Sequence, residues 1–178
     1  YKRQLLKSRK SAALPGAKIY PPTLTNSDLA NIKIAKEMGV TGVMQPFVRD
    51  HSDLECVKEA LREAGAEDIR LFAKIENMDG VRKLEKLLPA ADEIVIARGD
   101  LGNAVHLWDL PGVQRQISEK CRAAGKPFMV VTQMLASMER SPVPTRAEVN
   151  DIFHAVMDGA ASIMVTGETA VGDYPVEV

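Results

Sequence analysis

Five short apolar runs alternate with stretches of helical periodicity, and this alternation limits what the chain can fold into. The runs cover residues 42–48, 71–75, 93–97, 128–131 and 162–165. They are continuously apolar, as expected for strands that are covered on both faces. Strict alternation of strand and helix at the spacing of βαβ units predicts a parallel sheet. An open doubly wound sheet and a (β/α)8 barrel both fit this pattern.

The predicted helices begin and end at recognisable signals. The side chains that can cap their N-termini are Ser27, the pair Ser52 and Glu55, Asn77, and the pair Thr145 and Glu148. The expected stop signals are Gly39, Gly65, Pro89, Gly125 and Gly159. Val113, Ile117 and Cys121 lie at positions i, i+4 and i+8, which predicts the helix that ends before Gly125.

Polar side chains follow every predicted strand, and this feature separates the two fold classes. They are Gln45, Arg49, Lys74, Glu76, Arg98, Asp100, Thr132, Gln133, Thr166 and Glu168. An open sheet concentrates its site at one switch point, whereas a barrel spreads site residues over the carboxyl ends of many strands. We therefore predict an α/β fold of the (β/α)8 TIM-barrel type. Because such a barrel needs eight strands, we expect three further strands from sequence outside this chain.

Lys74 and Glu76 form the most informative pair of polar residues. Alternate side chains share a face of an extended strand, so Phe72, Lys74 and Glu76 should point the same way. Asp100 follows the next strand along the chain. A lysine beside two carboxylates suits an anionic substrate held by Mg²⁺, which binds through oxygen ligands and keeps several waters. The alternatives are a structural ion pair between Lys74 and Glu76, and a surface ion pair or helix cap for Asp100.

Composition and cysteine count exclude several classes of function. The 178 residues carry a formal net charge of -1, so neither nucleic acid nor a membrane surface is an expected partner. Cys56 and Cys121 lie far apart in helical patterns, which indicates neither a disulfide framework nor a zinc site, but a reducing compartment. No apolar run reaches the ~18 residues of a membrane-spanning helix. We therefore expect a cytoplasmic protein.

Eight short motifs follow one another along the chain. They are Phe-Val-Arg at 47–49, Ala-Lys-Ile-Glu-Asn at 73–77, Ala-Arg-Gly-Asp-Leu-Gly at 97–102, Gly-Lys-Pro at 125–127, Thr-Gln-Met-Leu at 132–135, Pro-Thr-Arg-Ala-Glu at 144–148, Gly-Glu-Thr-Ala at 167–170 and Gly-Asp-Tyr-Pro at 172–175. One such motif would be weak evidence, but eight in order and at family-like spacing are highly specific. With these motifs the chain resembles the pyruvate kinase family.

The resemblance implies a (β/α)8 barrel that is interrupted after its third strand by a small lid domain. Residues 1–21 would be the end of that lid and the return connector. Residues 22–178 would form a partial barrel with about five strands, the fourth to the eighth. The first three strands would lie outside the chain, and the family places potassium and several phosphate contacts on them.

The resemblance also implies an activity with its cofactors and partners. Pyruvate kinases transfer the phosphoryl group of phosphoenolpyruvate to ADP and produce pyruvate and ATP in glycolysis. The implied cofactors are Mg²⁺ or Mn²⁺, together with K⁺, whose ligands lie outside this chain. The implied assembly is a homo-oligomer, a tetramer by family resemblance.

The resemblance assigns roles to individual residues. Glu76 and Asp100 would hold the divalent metal, and Lys74 would stabilise the phosphoryl group in flight. The backbone N–H groups of Gly99 and Asp100 would bind the substrate carboxylate. Thr132 would lie beside the carbon that gains a proton when enolpyruvate becomes pyruvate.

The resemblance assigns less specific roles to four further residues. Gln133, Thr166 and Glu168 would support the site or relay a proton, and Arg146 would reach a neighbouring subunit. A hydroxyl satisfied by the backbone is the alternative reading of Thr132. A solvated charge is the alternative reading of Arg146, because exposed arginines contribute ~0–1 kcal/mol.

Two departures from the family motifs lie near the expected site. Residues 103–108 read Asn-Ala-Val-His-Leu-Trp, where the family usually continues with an acidic residue and a proline. Pro46 stands in place of a small hydroxylated residue, and together these changes bear on cation dependence and substrate fit.

Two alternative functions remain open at the level of sequence. The first is a metal-dependent 2-keto-acid lyase or aldolase on a related barrel, which would use Glu76 and Asp100. A separate functional reading of Lys74 alone is the Schiff-base lysine of an aldolase barrel. Neighbouring carboxylates disfavour the lowered pKa that such a lysine needs. The second is a truncated, non-catalytic relative of pyruvate kinase.

Overall fold

The computed structural model describes residues 21–178, so the expected lid segment and return connector, residues 1–21, lie outside the described residues except for Pro21. The strands are β1 (Gly42–Gln45), β2 (Arg70–Ile75), β3 (Glu93–Ala97), β4 (Phe128–Val131) and β5 (Ser162–Met164). The helices are α1 (Asn26–Ala35), α2 (His51–Glu63), α3 (Met78–Arg82), α4 (Leu84–Leu87), α5 (Arg98–Ala104), α6 (Leu110–Ala123), α7 (Arg146–Met157) and α8 (Gly167–Ala170). A 3-10 helix covers Ala136–Glu139.

The strands form one parallel sheet in the order β1-β2-β3-β4-β5. A doubly wound sheet reverses its strand order at a switch point, whereas a (β/α)8 barrel adds each strand beside the previous one. The helices also pack on one face, since Ile32 of α1, Ile117 of α6 and Ala155 of α7 share a single core cluster. Strand order and one-sided helix packing together confirm the predicted partial barrel.

The two faces of the sheet carry different clusters of side chains. Leu71, Ala73 and Ile75 of β2 pack in the large cluster beneath the helices. The opposite face, which lines the interior of a barrel, carries a smaller cluster of Val95, Ala97 and Val131 with Phe72, Met129 and Met164 packed against it. Lys74 alternates with Phe72 along β2, so its side chain rises from this inner face. The face assignment predicted for β2 is confirmed.

Strand β1 is shorter than predicted, because it ends at Gln45 and not at residue 48. Pro46 has no N–H to donate to the sheet. Phe47 has a φ of 52°, a left-handed conformation that turns the chain away from the strand direction. Strand β5 likewise ends at Met164, one residue before the predicted limit.

Two of the predicted helix caps are confirmed. The Asn77 side chain accepts a hydrogen bond from the Gly80 N–H at 2.8 Å and begins α3. Thr145 and Glu148 form the predicted capping box, in which Glu148 Oε2 accepts from the Thr145 N–H at 2.8 Å. These signals act within one turn, so the local sequence was sufficient to predict them.

Two predicted caps are wrong. Thr25, not Ser27, begins α1, and its capping box is closed by Asp28. Asp50 begins α2, where the expectation was a box of Ser52 and Glu55, and its Oδ1 accepts from the Ser52 N–H at 3.0 Å. In both cases an acceptor lies earlier in the chain than the predicted one, and the helix starts there.

No helix among residues 21–178 is both long enough and apolar enough to cross a membrane.

Glu148 connects α7 to the 3-10 helix. Its two carboxylate oxygens accept hydrogen bonds from the Ser137 N–H at 2.7 Å and the Ser137 hydroxyl at 2.5 Å. Burial raises the pKa of Glu148, but the hydrogen bonds from Ser137 and Thr145 outweigh it and lower the pKa to about 2. The ionised carboxylate therefore stabilises the folded chain.

The Glu148→Gln variant is expected to lower the free energy of unfolding by about 1–2 kcal/mol at pH 7, because charge-assisted hydrogen bonds are lost. The folded-state pKa lies below the unfolded value, so this contribution is present above about pH 4.5 and disappears as the pH falls towards 2. Urea midpoints of wild type and variant should therefore converge over that range.

The Glu119→Gln variant is the control for this experiment. It removes an exposed carboxylate that pairs with Arg115 at 3.0 Å, and a change below about 0.5 kcal/mol is expected. Equal midpoints for Glu148→Gln and Glu119→Gln at pH 7 would contradict the stabilising role of Glu148.

Candidate active site

The register of the sheet gathers the polar residues that follow β2, β3 and β4 at one edge. Ile75 lies beside Ile96, and Ala97 lies beside Val131. Strands in parallel place their carboxyl ends on the same edge, which in a barrel of this type is the face that carries active sites. The segments that begin at Glu76, Arg98 and Thr132 therefore leave the sheet side by side.

Glu76 is a buried carboxylate that holds two groups of the candidate site. Its side chain is only 3% exposed, and its Oε1 lies 2.8 Å from Lys74 Nζ. Its Oε2 accepts a hydrogen bond from the Phe47 N–H at 2.7 Å. Glu76 thus links the end of β2 to the left-handed turn after β1, and the ion pair with Lys74 is present in the structure.

Asp100 lies in the first turn of α5 and is exposed at the same edge of the sheet. The two carboxylates of Glu76 and Asp100 supply oxygen atoms, the donor type that Mg²⁺ prefers, and Mg²⁺ completes its shell with water and substrate oxygens. Among the described residues there is no group of three or more His, Cys, Asp or Glu side chains arranged around one point. A site built from these residues would therefore rely on two protein carboxylates.

Thr132 makes two hydrogen bonds to the backbone through its hydroxyl. Oγ1 accepts from the Gly99 N–H at 2.8 Å and donates to the Val131 carbonyl oxygen. The alternative reading of Thr132, a hydroxyl whose hydrogen bonds are made to the backbone, is therefore seen in the structure. The Gly99 N–H, expected to bind a substrate carboxylate, points at Thr132 Oγ1 instead.

Thr132 and Gln133 both have left-handed backbone conformations, with φ of 74° and 54°. A β-branched residue such as threonine is rarely found there, and each such residue costs on the order of 1–3 kcal/mol. Strain of this kind persists only where the surrounding structure enforces it, and it clusters at functional sites. This conformation sets where the Thr132 hydroxyl lies.

Arg98 is a central residue of this site, although the sequence analysis gave it no role beyond following β3. Its Nη2 donates to the Thr132 carbonyl oxygen at 2.8 Å and lies 2.9 Å from Met134 Sδ. Its Nη1 lies 2.8 Å and 2.7 Å from the two carboxylate oxygens of Asp151 in α7. An arginine directly after a fully buried strand is a signal for such a role, but its acidic partner lies far along the chain.

Glu168 lies in the first turn of α8, shortly after β5, and is 2% exposed. Its carboxylate accepts hydrogen bonds from the Thr166 N–H at 2.7 Å and from the Leu135 N–H at 3.2 Å. Burial raises the pKa of Glu168, but hydrogen bonds from the backbone N–H groups of Glu168 itself, Thr166 and Leu135 outweigh it and hold the pKa below the usual range. Glu168 and Thr166 are therefore brought together and tie the segment after β4 to the end of β5.

Gln133 and Arg146, which the resemblance also gave less specific roles, are both exposed. Gln133 directly follows Thr132 and has an exposed side chain. Arg146 is the first residue of α7 and is exposed there. Its subunit-contact role stays a prediction, as do the proton-relay roles of Gln133, Thr166 and Glu168.

A third buried carboxylate, that of Asp53, organises the segment after β1. Asp53 Oδ1 accepts from Arg49 Nη2 and from the Thr23 hydroxyl, both at 2.6 Å. Burial raises the pKa of Asp53, but the bonds from Arg49 and Thr23 outweigh it and lower the pKa to about 2. Arg49, one of the polar residues that follow β1, is therefore bound to the start of α2.

A double-mutant cycle tests the Lys74–Glu76 pair without any assay of function. Glu76→Gln is expected to lower the free energy of unfolding by about 2–4 kcal/mol, since it leaves Lys74 without its buried partner. Lys74→Met should also destabilise, and the double variant should lose less than the sum by at least about 1 kcal/mol. Chemical denaturation of the four proteins measures this coupling.

The pair of Lys120 and Glu85, 2.9 Å apart with an exposed carboxylate in place of a buried one, is the control cycle. Its coupling should stay below about 1 kcal/mol because water screens the charges. Equal coupling energies in the two cycles would show that the Lys74–Glu76 pair has no special energetic role.

Comparison with known proteins extends over nearly the whole chain. A family model described as the barrel domain of pyruvate kinase matches residues 2–178. The pyruvate kinase of Bacillus licheniformis is 43% identical over 172 residues, which are 97% of this chain and 29% of the relative. Those of Geobacillus stearothermophilus and Dictyostelium discoideum are each 42% identical, again over 97% of this chain, and the matches cover 30% and 34% of the relatives. The chain thus spans about a third of the length of these curated relatives, and it belongs to the pyruvate kinase family through the barrel domain.

Proposed function

We propose that this chain forms part of the catalytic barrel of a pyruvate kinase, which transfers the phosphoryl group of phosphoenolpyruvate to ADP and yields pyruvate and ATP. The observation that carries the proposal is the Lys74–Glu76 pair at the carboxyl end of β2, where the Lys74 side chain is 26% exposed and its partner is buried. A cation that its buried partner holds in place, on a side chain that is partly exposed, suits an anionic substrate. The resemblance to named pyruvate kinases supports the same assignment.

Lys74 would act by electrostatics. Phosphoryl transfer places negative charge on the equatorial oxygens of the moving group, and a fixed ammonium stabilises that charge. Glu76 keeps the ammonium in place through the 2.8 Å contact. Because this geometry exists before substrate arrives, little reorganisation is needed during the reaction.

Glu76 and Asp100 would hold Mg²⁺ or Mn²⁺. Such an ion, when bound, neutralises substrate oxygens and orients them for transfer. Each oxygen of Glu76 has one partner in the structure, Lys74 Nζ or the Phe47 N–H, and a carboxylate oxygen has two lone pairs. Both oxygens of Glu76 therefore keep acceptor capacity for an ion.

Thr132 would lie at the carbon that receives a proton on the way to pyruvate. Its hydroxyl would exchange the bond to Val131 for one to substrate or to a water, while the Gly99 N–H keeps it in place. Gln133, Thr166 and Glu168 would support this step by holding the segments after β4 and β5.

The remaining features of the enzyme would come from sequence outside this chain. They include the first three strands of the barrel, the K⁺ ligands and most contacts to ADP. A cytoplasmic homo-oligomer, a tetramer by family resemblance, with Arg146 at a subunit contact completes the proposal.

The aldolase alternative is disfavoured by the same ion pair. A Schiff-base lysine needs a free amine to attack a carbonyl carbon, whereas Lys74 Nζ is engaged by the Glu76 carboxylate at 2.8 Å. Assays of pyruvate cleavage and condensation, run beside the kinase assay, would show the alternative activity if it exists.

The Lys74→Met variant tests the role of the lysine in the complete protein that carries this chain. In a coupled assay with phosphoenolpyruvate and ADP, kcat should fall by about 10²–10³-fold or more. The Kd for Mn²⁺, measured by electron paramagnetic resonance on the folded variant, should change by less than about threefold. Lys83→Met, which removes an exposed lysine paired with Asp50 at 3.3 Å, is the matched control. Parallel loss of Mn²⁺ binding in Lys74→Met would show that the lysine mainly holds the site together.

The Asp100→Asn variant tests the metal assignment. We expect the Kd for Mn²⁺ to rise by about tenfold or more, because one of two carboxylate ligands becomes neutral. Asp109→Asn is the control, since Asp109 is an exposed carboxylate before α6 that makes no side-chain cap. Equal effects of the two substitutions would indicate a general charge effect in place of ligation.

A further inference from the structure

We propose that Arg98 and Asp151 form a positioning pair for Thr132, in which Asp151 fixes the Arg98 guanidinium and Arg98 fixes the backbone of Thr132. Neither residue is proposed to touch substrate. The effect of the pair on phosphoryl transfer rests on the proposed function, whereas its effect on the position of Thr132 does not.

The strained backbone at Thr132 needs an external cause. Thr132 has a φ of 74° and Gln133 a φ of 54°, and neither is a glycine. Both residues directly follow β4, where the chain must leave the sheet. A left-handed threonine relaxes towards the extended region unless its neighbours hold it.

Arg98 and Gly99 hold Thr132 from two directions. The Arg98 guanidinium donates to the Thr132 carbonyl oxygen at 2.8 Å. The Gly99 N–H donates to the Thr132 hydroxyl, also at 2.8 Å. Because the two donors come from consecutive residues at the end of β3, they determine both where the Thr132 peptide lies and where its hydroxyl points.

Asp151 determines where the guanidinium lies. Both of its carboxylate oxygens are within 2.8 Å of Arg98 Nη1, and the Arg98 side chain is only 11% exposed. Gln114 Oε1 of α6 adds a longer contact at 3.5 Å to the same nitrogen. With one nitrogen facing Asp151 and the other facing Thr132, the planar guanidinium connects α7 to the turn after β4.

Lysine cannot reproduce this geometry. An ammonium is a compact point charge, whereas the guanidinium presents separate donors in a rigid fork. In Arg98→Lys the charge is kept, but the contacts to Asp151 and to the Thr132 carbonyl cannot both be made. Arg98→Lys and Asp151→Asn therefore perturb the position of Thr132 with little change in side-chain volume.

The first experiment measures geometry in the complete protein that carries this chain, with no requirement for activity. Hydrogen exchange of the Gly99 amide is followed by NMR in wild type, Arg98→Lys and Asp151→Asn. Exchange should accelerate by about tenfold or more in both variants, because the bond to Thr132 Oγ1 loosens. Arg115→Lys, at an exposed pair on α6, should leave it unchanged. Unchanged exchange in both Arg98→Lys and Asp151→Asn would overturn the proposal.

The second experiment measures the catalytic consequence. We expect kcat for phosphoryl transfer to fall by about 10–100-fold in Arg98→Lys, while KM for phosphoenolpyruvate changes by less than about threefold. Thr132→Ala and the double variant Thr132→Ala with Arg98→Lys should have equal kcat, because Arg98 acts through Thr132. A further loss in the double variant would overturn the positioning role.

The two experiments separate failure of this inference from failure of the proposed function. If the wild-type protein lacks phosphotransferase activity, the proposed function is wrong, and the exchange of the Gly99 amide still decides the positioning role. If wild type is active and Arg98→Lys folds with unchanged kcat, the positioning pair has no catalytic consequence and this inference is wrong.

Discussion

The buried carboxylate of Glu76 is the interaction on which the rest of the candidate site depends. One oxygen holds the Lys74 ammonium at 2.8 Å, and the other holds the Phe47 N–H at 2.7 Å. Removing a carboxylate from water is unfavourable unless its acceptors are satisfied, and these two partners supply those contacts to the buried Glu76. The same contacts leave Lys74 partly exposed on the inner face of the sheet, where it can meet an anion.

Left-handed backbone occurs at two places where the chain leaves the sheet at this edge, after β1 and after β4. Phe47 after β1 and Thr132 after β4 both have positive φ, and each is held by a polar group from the neighbouring strand end. Glu76 holds the N–H of Phe47, and Arg98 holds the carbonyl of Thr132. Conformational strain and charge therefore lie together, as is typical of sites whose groups are fixed before substrate binds.

Much of this arrangement could be predicted from sequence. The five strands, the sharing of faces along β2 and the caps at Asn77 and Thr145 follow from local periodicity and hydrogen bonding. The caps of α1 and α2 were misplaced by two residues because another acceptor, Thr25 or Asp50, lay nearer to the start of each helix. The early end of β1 was missed because continuous apolar character does not reveal a left-handed turn at Phe47.

The sequence by itself determined the alternation of strand and helix, the polar residues after each strand and, through its motifs, the family. Only the tertiary structure decided the sequential strand order, the packing of the helices on one face and the contacts among the strand ends. Arg98 and Asp151 lie 53 residues apart in the chain, so no local pattern pairs them. The physical reason is that periodicity reports which face of an element is buried, whereas a contact between elements depends on the register that packing selects.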